Sequence, residues 1–472
     1  MPETEKSGIV IPAWQAVSRF AGLGIFGRMI VSGVMLFVAC AFFLYPGIVT
    51  FRVVTDPELR TTGQTRLLRG WFNDAARRYD KWATQYLDSH RGELVSEHDV
   101  AGTEWPIFGS TLFLLAAEEL FTSGKTSEPM NPDVVSAVRK AAQVIADPAT
   151  GSWVRRKWGA DYLDRENVFY RMLLIMGFAA YERITPDRQY HDFMTRQMRS
   201  LADELQRAPF HLRDDYPGEC YPHDVLWAVA ALQRAGRLDG VRHDALIRGI
   251  MSVLNGKLRT PHDLPASEAS SRSGSILQGA RGCNSSGILI VAAELDKQAA
   301  RQWFEAYVRH FWDSGTWVAG FRETPRGDDD RFMDVDSGLV VGGLGSVASA
   351  FGIGAAKVVG RFDHAAPLTM EAVAVSWPSP FGPVIPGILG STAAGGWCLG
   401  ESALLFSMSR PSPADAGIPF TGPVPRMVWV VTIAYFACGL LLIVGEVRGW
   451  MRWARKHRKE AKSANNKAQA LG

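Results

Sequence analysis

This 472-residue sequence predicts an all-α fold, an (α/α)6 barrel or toroid flanked by one N-terminal and one C-terminal transmembrane helix. Three observations carry that prediction. An uncharged apolar span lies near each end, two kinds of helix alternate between the spans, and the apolar kind recurs about every sixty residues.

The first span covers residues 29–51, with no charge between Arg28 and Arg52. At a rise of about 1.5 Å per residue it is long enough to cross a hydrocarbon core of about 30 Å. Its polar lead-in, residues 1–28, is long, and no small-x-small cleavage site follows the span. Both features favour an uncleaved anchor over a signal peptide. The second span, residues 427–445, carries aromatic residues near one end, as interfacial helices do. Arg448, Arg452, Arg455, Lys456, Arg458 and Lys459 follow it, within a basic tail of residues 446–472. Lys6, Arg19 and Arg28 precede the first span. The positive-inside bias therefore places both termini in the cytoplasm, both spans in the plasma (inner) membrane, and residues 52–426 in the periplasm or outside the cell. A third uncharged stretch, residues 338–356, is rich in glycine and poor in leucine. It reads as a helix buried inside the domain rather than as a further span.

Composition narrows the function classes. The chain is 47% hydrophobic and 21% charged, which is ordinary globular content. The formal net charge of +3 owes much to the C-terminal tail, so no basic stripe crosses the body and no nucleic-acid partner is expected. Cys40, Cys220, Cys283, Cys398 and Cys438 form no CxxC or Cys/His cluster at metal-ligand spacing, so a structural zinc is not expected.

Between the spans, one set of helices is amphipathic: LLRGWFNDAARRYDKWATQYL, PDVVSAVRKAAQVIA, RQYHDFMTRQMRSLADELQRA, RHDALIRGIMSVLNGKL and DKQAARQWFEAYVRHFW. Each puts apolar side chains on one face and charge on the other. The other set is apolar nearly all round: PIFGSTLFLLAAEEL, VFYRMLLIMGFAAYE, DVLWAVAALQRA, SSGILIVAAEL, GLVVGGLGSVASAFG and WCLGESALLFS. Helices apolar on every side belong in an interior, which favours a closed ring of inner helices over an open solenoid. The sixth outer helix is the weakest of the set and falls within the Pro- and Gly-rich residues 357–390.

Polar residues gather just before the inner helices, where a barrel would have its mouth. Glu104 precedes the first; Asp161, Tyr162, Asp164 and Glu166 the second, whose first turn holds Tyr170; Asp214, Asp215, Glu219, Cys220, His223 and Asp224 the third. Arg281 and Cys283 precede the fourth, Arg322, Glu323, Asp328, Asp329, Asp330, Asp334 and Asp336 the fifth, and Trp397, Cys398 and Glu401 the sixth. A cup rimmed this way suits general acid and base work, which needs carboxyls whose environments set their pKa values apart. Several of these residues also have structural readings. Asp224 and Ser337 suit helix N-caps, and Asp161 and Asp164 suit a first helical turn. The acidic run near residue 330 lacks the glycine and terminal glutamate of a calcium loop. Two of Cys220, Cys283 and Cys398 could pair in an oxidising compartment.

Three segments, DRENVFYRMLLIMGFAAYERITPDRQYHDF, PFHLRDDYPGECYPHDVLWAVAALQR, and FRETPRGDDD followed by GLGSVASAFG, resemble the linalool dehydratase/isomerase family. The resemblance covers most of residues 100–410. It implies an (α/α)6 barrel, an extracytoplasmic setting, and cofactor-free acid/base chemistry that removes water from a tertiary alcohol or moves its hydroxyl. Leu173 and Phe169 stand where the type enzyme has a histidine and a methionine. Cys220, with His223 and Asp224 nearby, stands in place of its cysteine pair. The expected proton donors and acceptors are Glu104, Glu323, His223 and Asp224; Tyr162, Tyr170, Glu219, Cys220, Arg281 and Trp397 are expected to hold a small-molecule or glycan substrate. A glycan-active hydrolase or lyase is the alternative, because carboxylate-rimmed barrels suit sugars. A non-catalytic binding protein is a second alternative. A homo-oligomer is among the arrangements left open.

Overall fold

The computed structural model describes residues 25–122, 129–328, 332–385, 399–413 and 417–471. It is mostly helical, and its contacts divide it into two units, one built on the terminal helices and one on the residues between them.

In the first unit, α1 (Ile25–Val54) and α14 (Arg426–Leu471) are long and apolar enough to cross a membrane by length and composition. Both run past the uncharged spans, α14 through the basic tail. They pair in opposite directions. A Cβ on Gly47 would meet the ring of Phe436 at 3.1 Å, and one on Gly439 would meet Leu44 at 2.7 Å. Towards the chain ends, Ser32 donates to Glu446 at 2.6 Å and accepts from the Trp450 indole at 2.8 Å. This pairing sets the first turns of α1 beside the 446–450 stretch of α14. Away from the pair, Met29, Ile30, Val34, Phe37, Ile433 and Leu441 are exposed, an apolar exterior that suits hydrocarbon.

The second unit is a sequence of helical hairpins. Its helices are α2 (Leu68–Asp88), α3 (Trp105–Thr122), α4 (Pro132–Ala146), α5 (Val168–Ile184), α6 (His191–Arg207), α7 (Pro222–Asp239), α8 (Asp244–Asn255), α9 (Gly282–Leu295), α10 (Lys297–Phe311), α11 (Ser346–Val358), α12 (Phe362–Ser376) and α13 (Leu399–Ser409). The odd-numbered helices are the apolar ones. Each packs on the next, α3 on α5, α5 on α7, and so on to α13, which packs back on α3. The even-numbered helices lie outside this circuit: α4 on α3 and α5, α6 on α5 and α7, α10 on α9, α12 on α11. The stripe pattern explains the division. On α6 only Met194, Gln197, Met198, Leu201 and Leu205 are buried, at helical spacing, whereas α5 is buried from Val168 through Glu182. The sixth outer helix is α12. It lacks a polar face because the short helix Pro57–Thr62 covers it from outside.

The inner helices run in one direction, since each is preceded by an outer helix that returns the chain. Their C-terminal ends are tied by charge. Arg234 at the end of α7 donates to Glu118 of α3 at 2.7 Å and to Glu294 of α9 at 2.8 Å. Arg410, just past α13, donates to the Leu115 carbonyl at 2.8 Å. Burial alone would lower the Arg234 pKa, but the charges of Glu294 and Glu118 outweigh it.

Three expectations change. The stretch 338–345 is not helix: β5 (Val340–Val341) and β6 (Leu344–Gly345) form a hairpin there, and α11 begins only at Ser346. Gly342 and Gly343, both at positive φ, supply the turn. Further short pairs, β1 (Glu268–Ala269) with β2 (Ile276–Gln278) and β3 (Trp312–Ser314) with β4 (Ala319–Phe321), interrupt the helical reading. Neither proposed N-cap holds. Asp224 lies inside the first turn of α7, and Ser337 closes a turn with Asp334 at 2.8–2.9 Å, well before α11.

Candidate functional site

The N-terminal ends of the inner helices bring the expected residues together in two clusters. Glu104 immediately precedes α3, behind the short helix Val100–Thr103. It accepts a 2.6 Å hydrogen bond from the hydroxyl of Tyr216, which lies in the loop leading to α7. Tyr216 is held by rings on either side, Trp153 and Phe169 at 6.1 Å each, with the Lys157 ammonium 4.5 Å over its face. Burial pushes the Glu104 carboxyl up, the Tyr216 hydrogen bond pulls it back, and the charge of Asp336 raises it again, leaving it at about 7.

Glu323 and Arg281 form the second cluster. Glu323 follows β4 and is almost fully buried. Its carboxyl accepts from Arg281 Nε at 2.9 Å, from the Cys283 backbone N–H at 3.2 Å and from the Cys283 thiol at 3.2 Å. Arg281 also donates to Asp334 at 2.8 Å and stacks 4.8 Å over the Phe332 ring. Burial raises the Glu323 carboxyl, against the pull of Arg281, and burial with the Glu323 charge raises the Cys283 thiol.

Electrostatics joins the clusters. Asp336 is raised by burial and by Asp334, and it feels Arg281, Asp224 and His223. Glu104 in turn feels Asp336 and Asp224. Carboxyls from the loops before α3 and α11 and from the first turn of α7 therefore act on one another, alongside Arg281 before α9. His223, in the first turn of α7, has Nδ1 3.1 Å from Asp224 Oδ1 and its Nε2 against Gly287 of α9. Aromatic rings from five inner helices meet in two groups: Phe108 beside Phe169 at 5.9 Å, and Trp227 beside His223 at 5.9 Å and Phe406 at 5.7 Å, with Phe351 beside Phe406 at 6.2 Å.

The other expected residues fall in different places. Tyr170 is buried in the wall, its hydroxyl against Gly151 and its ring 6.0 Å from Tyr162. The groups it feels are Tyr162, Tyr86 and Asp147, and its ring meets Trp153, the ring beside Tyr216, edge-on at 6.2 Å. Glu219 is exposed and accepts from Tyr221 at 3.0 Å. Cys220 is buried, its thiol raised by burial and by Asp215. Cys220 and Cys283 are both free thiols; Trp397 and Cys398 lie outside the described residues. Among the described residues, no three His, Cys, Asp or Glu side chains group as metal ligands.

Sequence reasoning passed over Tyr216 and Lys157, and gave no role to Asp215, which is fully buried, accepts from the Tyr221 N–H at 2.7 Å and is pushed well up by burial and by Asp224. The only local signal for Tyr216 was its place in the Asp-Asp-Tyr-Pro-Gly turn.

No family model and no curated protein matches this chain. Among solved structures the chain is similar to one described as the crystal structure of D-mannose isomerase, at 10% sequence identity and a TM-score of 0.39, over 70% of this chain and 86% of that one.

Proposed function

We propose that residues 52–426 form an (α/α)6 barrel, held outside the cytoplasm by α1 and α14 crossing the inner membrane, and that the barrel works on the C–O bond of an apolar alcohol by cofactor-free acid/base chemistry. The observation that carries this reading is the Glu104 carboxyl, poised near 7 and acted on by carboxyls from other loops. A group with that pKa holds a proton in about half of the molecules at neutral pH and can give it up or take it back. The barrel rests on the closed circuit of inner helices, and the orientation on the basic flanks.

In the proposed reaction Glu104 protonates the substrate hydroxyl, which leaves as water. His223, oriented through Nδ1 by Asp224, takes a proton from the adjacent carbon, and the electrons of that C–H bond become the alkene. Return of water at another carbon completes an isomerisation. Glu323 has a positioning role, because its oxygens are engaged with Arg281 and Cys283. The rings that flank His223 and Tyr216, Trp227 and Phe169, favour an apolar substrate body, and the family resemblance points the same way.

The full chain in nanodiscs, incubated with linalool and related tertiary allylic alcohols, should yield dehydrated or rearranged products by gas chromatography–mass spectrometry. Glu104→Gln should abolish them. The exposed Glu219 favours the glycan reading instead, and release of reducing ends from oligosaccharides with no alkene formed would replace the first reading with that one.

A further inference from the structure

Arg28, the last charged residue before the uncharged run of α1, is set against α14. A Cβ on Gly449 would lie 2.3 Å from its Nη2, so the missing side chain makes room for the guanidinium, which lies 5.5 Å from the centre of the Trp450 ring. The Arg28 Nε is buried with no hydrogen-bond partner. Glu446, one turn earlier on α14 than Gly449, is taken by Ser32 at 2.6 Å. A guanidinium buried at one nitrogen without an acceptor is costly, and an anion at this place would remove the cost.

The outer face of α14 has two parts that meet at this level. Helical residues turn by about 100° each, so Leu440, Leu441, Val444, Val447 and Met451 share a face, and all five are exposed. Arg448, Arg452, Arg455, Lys459 and Lys462, also exposed, carry the same face onward. The opposite side is aromatic: Trp450 lies 5.5 Å from Trp453, which lies 4.2 Å from His457. Arg452, three residues past Gly449, is its neighbour on the helix surface, so Arg28 and Arg452 come to the same place. Among the described residues neither pairs with an acid.

We infer that Arg28 and Arg452 bind the phosphate of an anionic phospholipid, whose acyl chains lie along Val447, Val444 and Leu440 of α14. Guanidinium groups hold a phosphate by paired N–H donors. Arg28 adjoins its uncharged span, and Arg452 stands about 10 Å past the other with a side chain long enough to reach back, so both serve the headgroup layer. A soluble phosphate or a nucleic acid would meet the charge and leave the exposed apolar part of the same face uncovered. The inference rests on the reading that α1 and α14 cross a membrane, which puts this site in the cytoplasmic leaflet.

The test is native mass spectrometry of the full chain in detergent, mixed with phosphatidylglycerol or with phosphatidylcholine of the same acyl chains. Phosphatidylglycerol adducts are expected at roughly tenfold higher yield than phosphatidylcholine adducts. Arg28→Gln with Arg452→Gln should bring the two lipids to the same yield. Lys459→Gln with Lys462→Gln, an equal loss of charge farther along the stripe, should leave the preference in place. Equal yields of the two lipids on the unaltered chain would overturn the site, however the variants fold. So would equal losses in both double variants, or displacement of phosphatidylglycerol by inorganic phosphate. Release of the chain from vesicles by alkaline carbonate would overturn the spans, and this inference with them.

Discussion

The Tyr216 hydroxyl donates to the Glu104 carboxyl at 2.6 Å, across 112 residues of chain. Two opposing effects meet at that bond. Burial favours the neutral carboxyl, and the hydrogen bond favours the ionised one. Replacing Tyr216 with Phe removes only the second effect. A hydrogen bond to a charged group is worth about 1.5–3 kcal/mol, and one pKa unit is about 1.4 kcal/mol, so the Glu104 pKa should rise by roughly 1–2 units. In the pH profile of kcat/KM, the limb governed by Glu104 should move up by that amount. An unmoved limb would separate Glu104 from the chemistry. Glu104→Gln should lower kcat by about 10²–10⁴-fold at every pH.

Two glycines of α9 should respond differently to Ala. A Cβ on Gly282 would lie 2.0 Å from the Arg322 carbonyl oxygen, which is backbone and cannot step aside. Gly282→Ala should therefore destabilise by about 3 kcal/mol or more, read as a fall in Tm. A Cβ on Gly287 would meet the His223 Nε2 at 2.4 Å, an imidazole that can rotate. Gly287→Ala should leave Tm within a few degrees and lower turnover by shifting the proposed base. Equal loss of stability in both variants would refute this distinction.

At the other end of the inner helices, Arg234 sits between Glu118 and Glu294. Replacing it with Met leaves Glu294 without its ion-pair partner and Glu118 with Arg183 alone. Breaking a buried pair from one side costs about 3–5 kcal/mol, so Arg234→Met should unfold well below the wild-type temperature. Adding Glu118→Gln and Glu294→Gln should restore much of the loss. Failure of that rescue would mean that Arg234 acts through packing rather than charge.

Glu371 on α12 accepts the Ala319 N–H at 2.8 Å, and burial pushes its carboxyl up to about 8. The folded state therefore holds this proton more tightly than the unfolded chain does. Stability is greatest below the unfolded value near 4.5 and falls as pH rises towards 8. Glu371→Gln keeps an oxygen for the Ala319 N–H and cannot titrate. Between pH 5 and 8 the wild type should lose stability relative to this variant, by a few kcal/mol at most. Parallel pH–Tm curves would count against the raised pKa.

The Cys283 thiol donates to Glu323 and is held protonated by burial and that negative neighbour. At pH 8 it should react with iodoacetamide at least tenfold more slowly than free cysteine, followed by peptide mass spectrometry. Glu323→Gln should speed the reaction by removing the charge. Fast alkylation of the unaltered chain would contradict the arrangement.

Much of the helical plan was legible because its signal is local. An outer helix such as α6 must alternate buried and solvent faces every three to four residues, and an inner one such as α5 need not, so the two kinds differ in sequence before any contact forms. The uncharged spans are legible for the same reason, since crossing hydrocarbon requires a continuous stretch of chain. The hairpins before α9 and α11 were missed because four- to six-residue strand pairs are too short for periodicity to register.

The sequence by itself therefore determined the number and order of the helix types and located the loops between them. The tertiary structure alone decided which loop residues meet. Tyr170 and Glu104 looked equivalent as polar residues beside an inner helix, yet one lies in the wall and the other faces Tyr216 and Asp336. One residue along a helix turns a side chain by about 100°, so facing the mouth or the wall depends on how each helix is rotated in its packing. The partners that set a carboxyl's pKa come from other hairpins, and only packing brings them within reach.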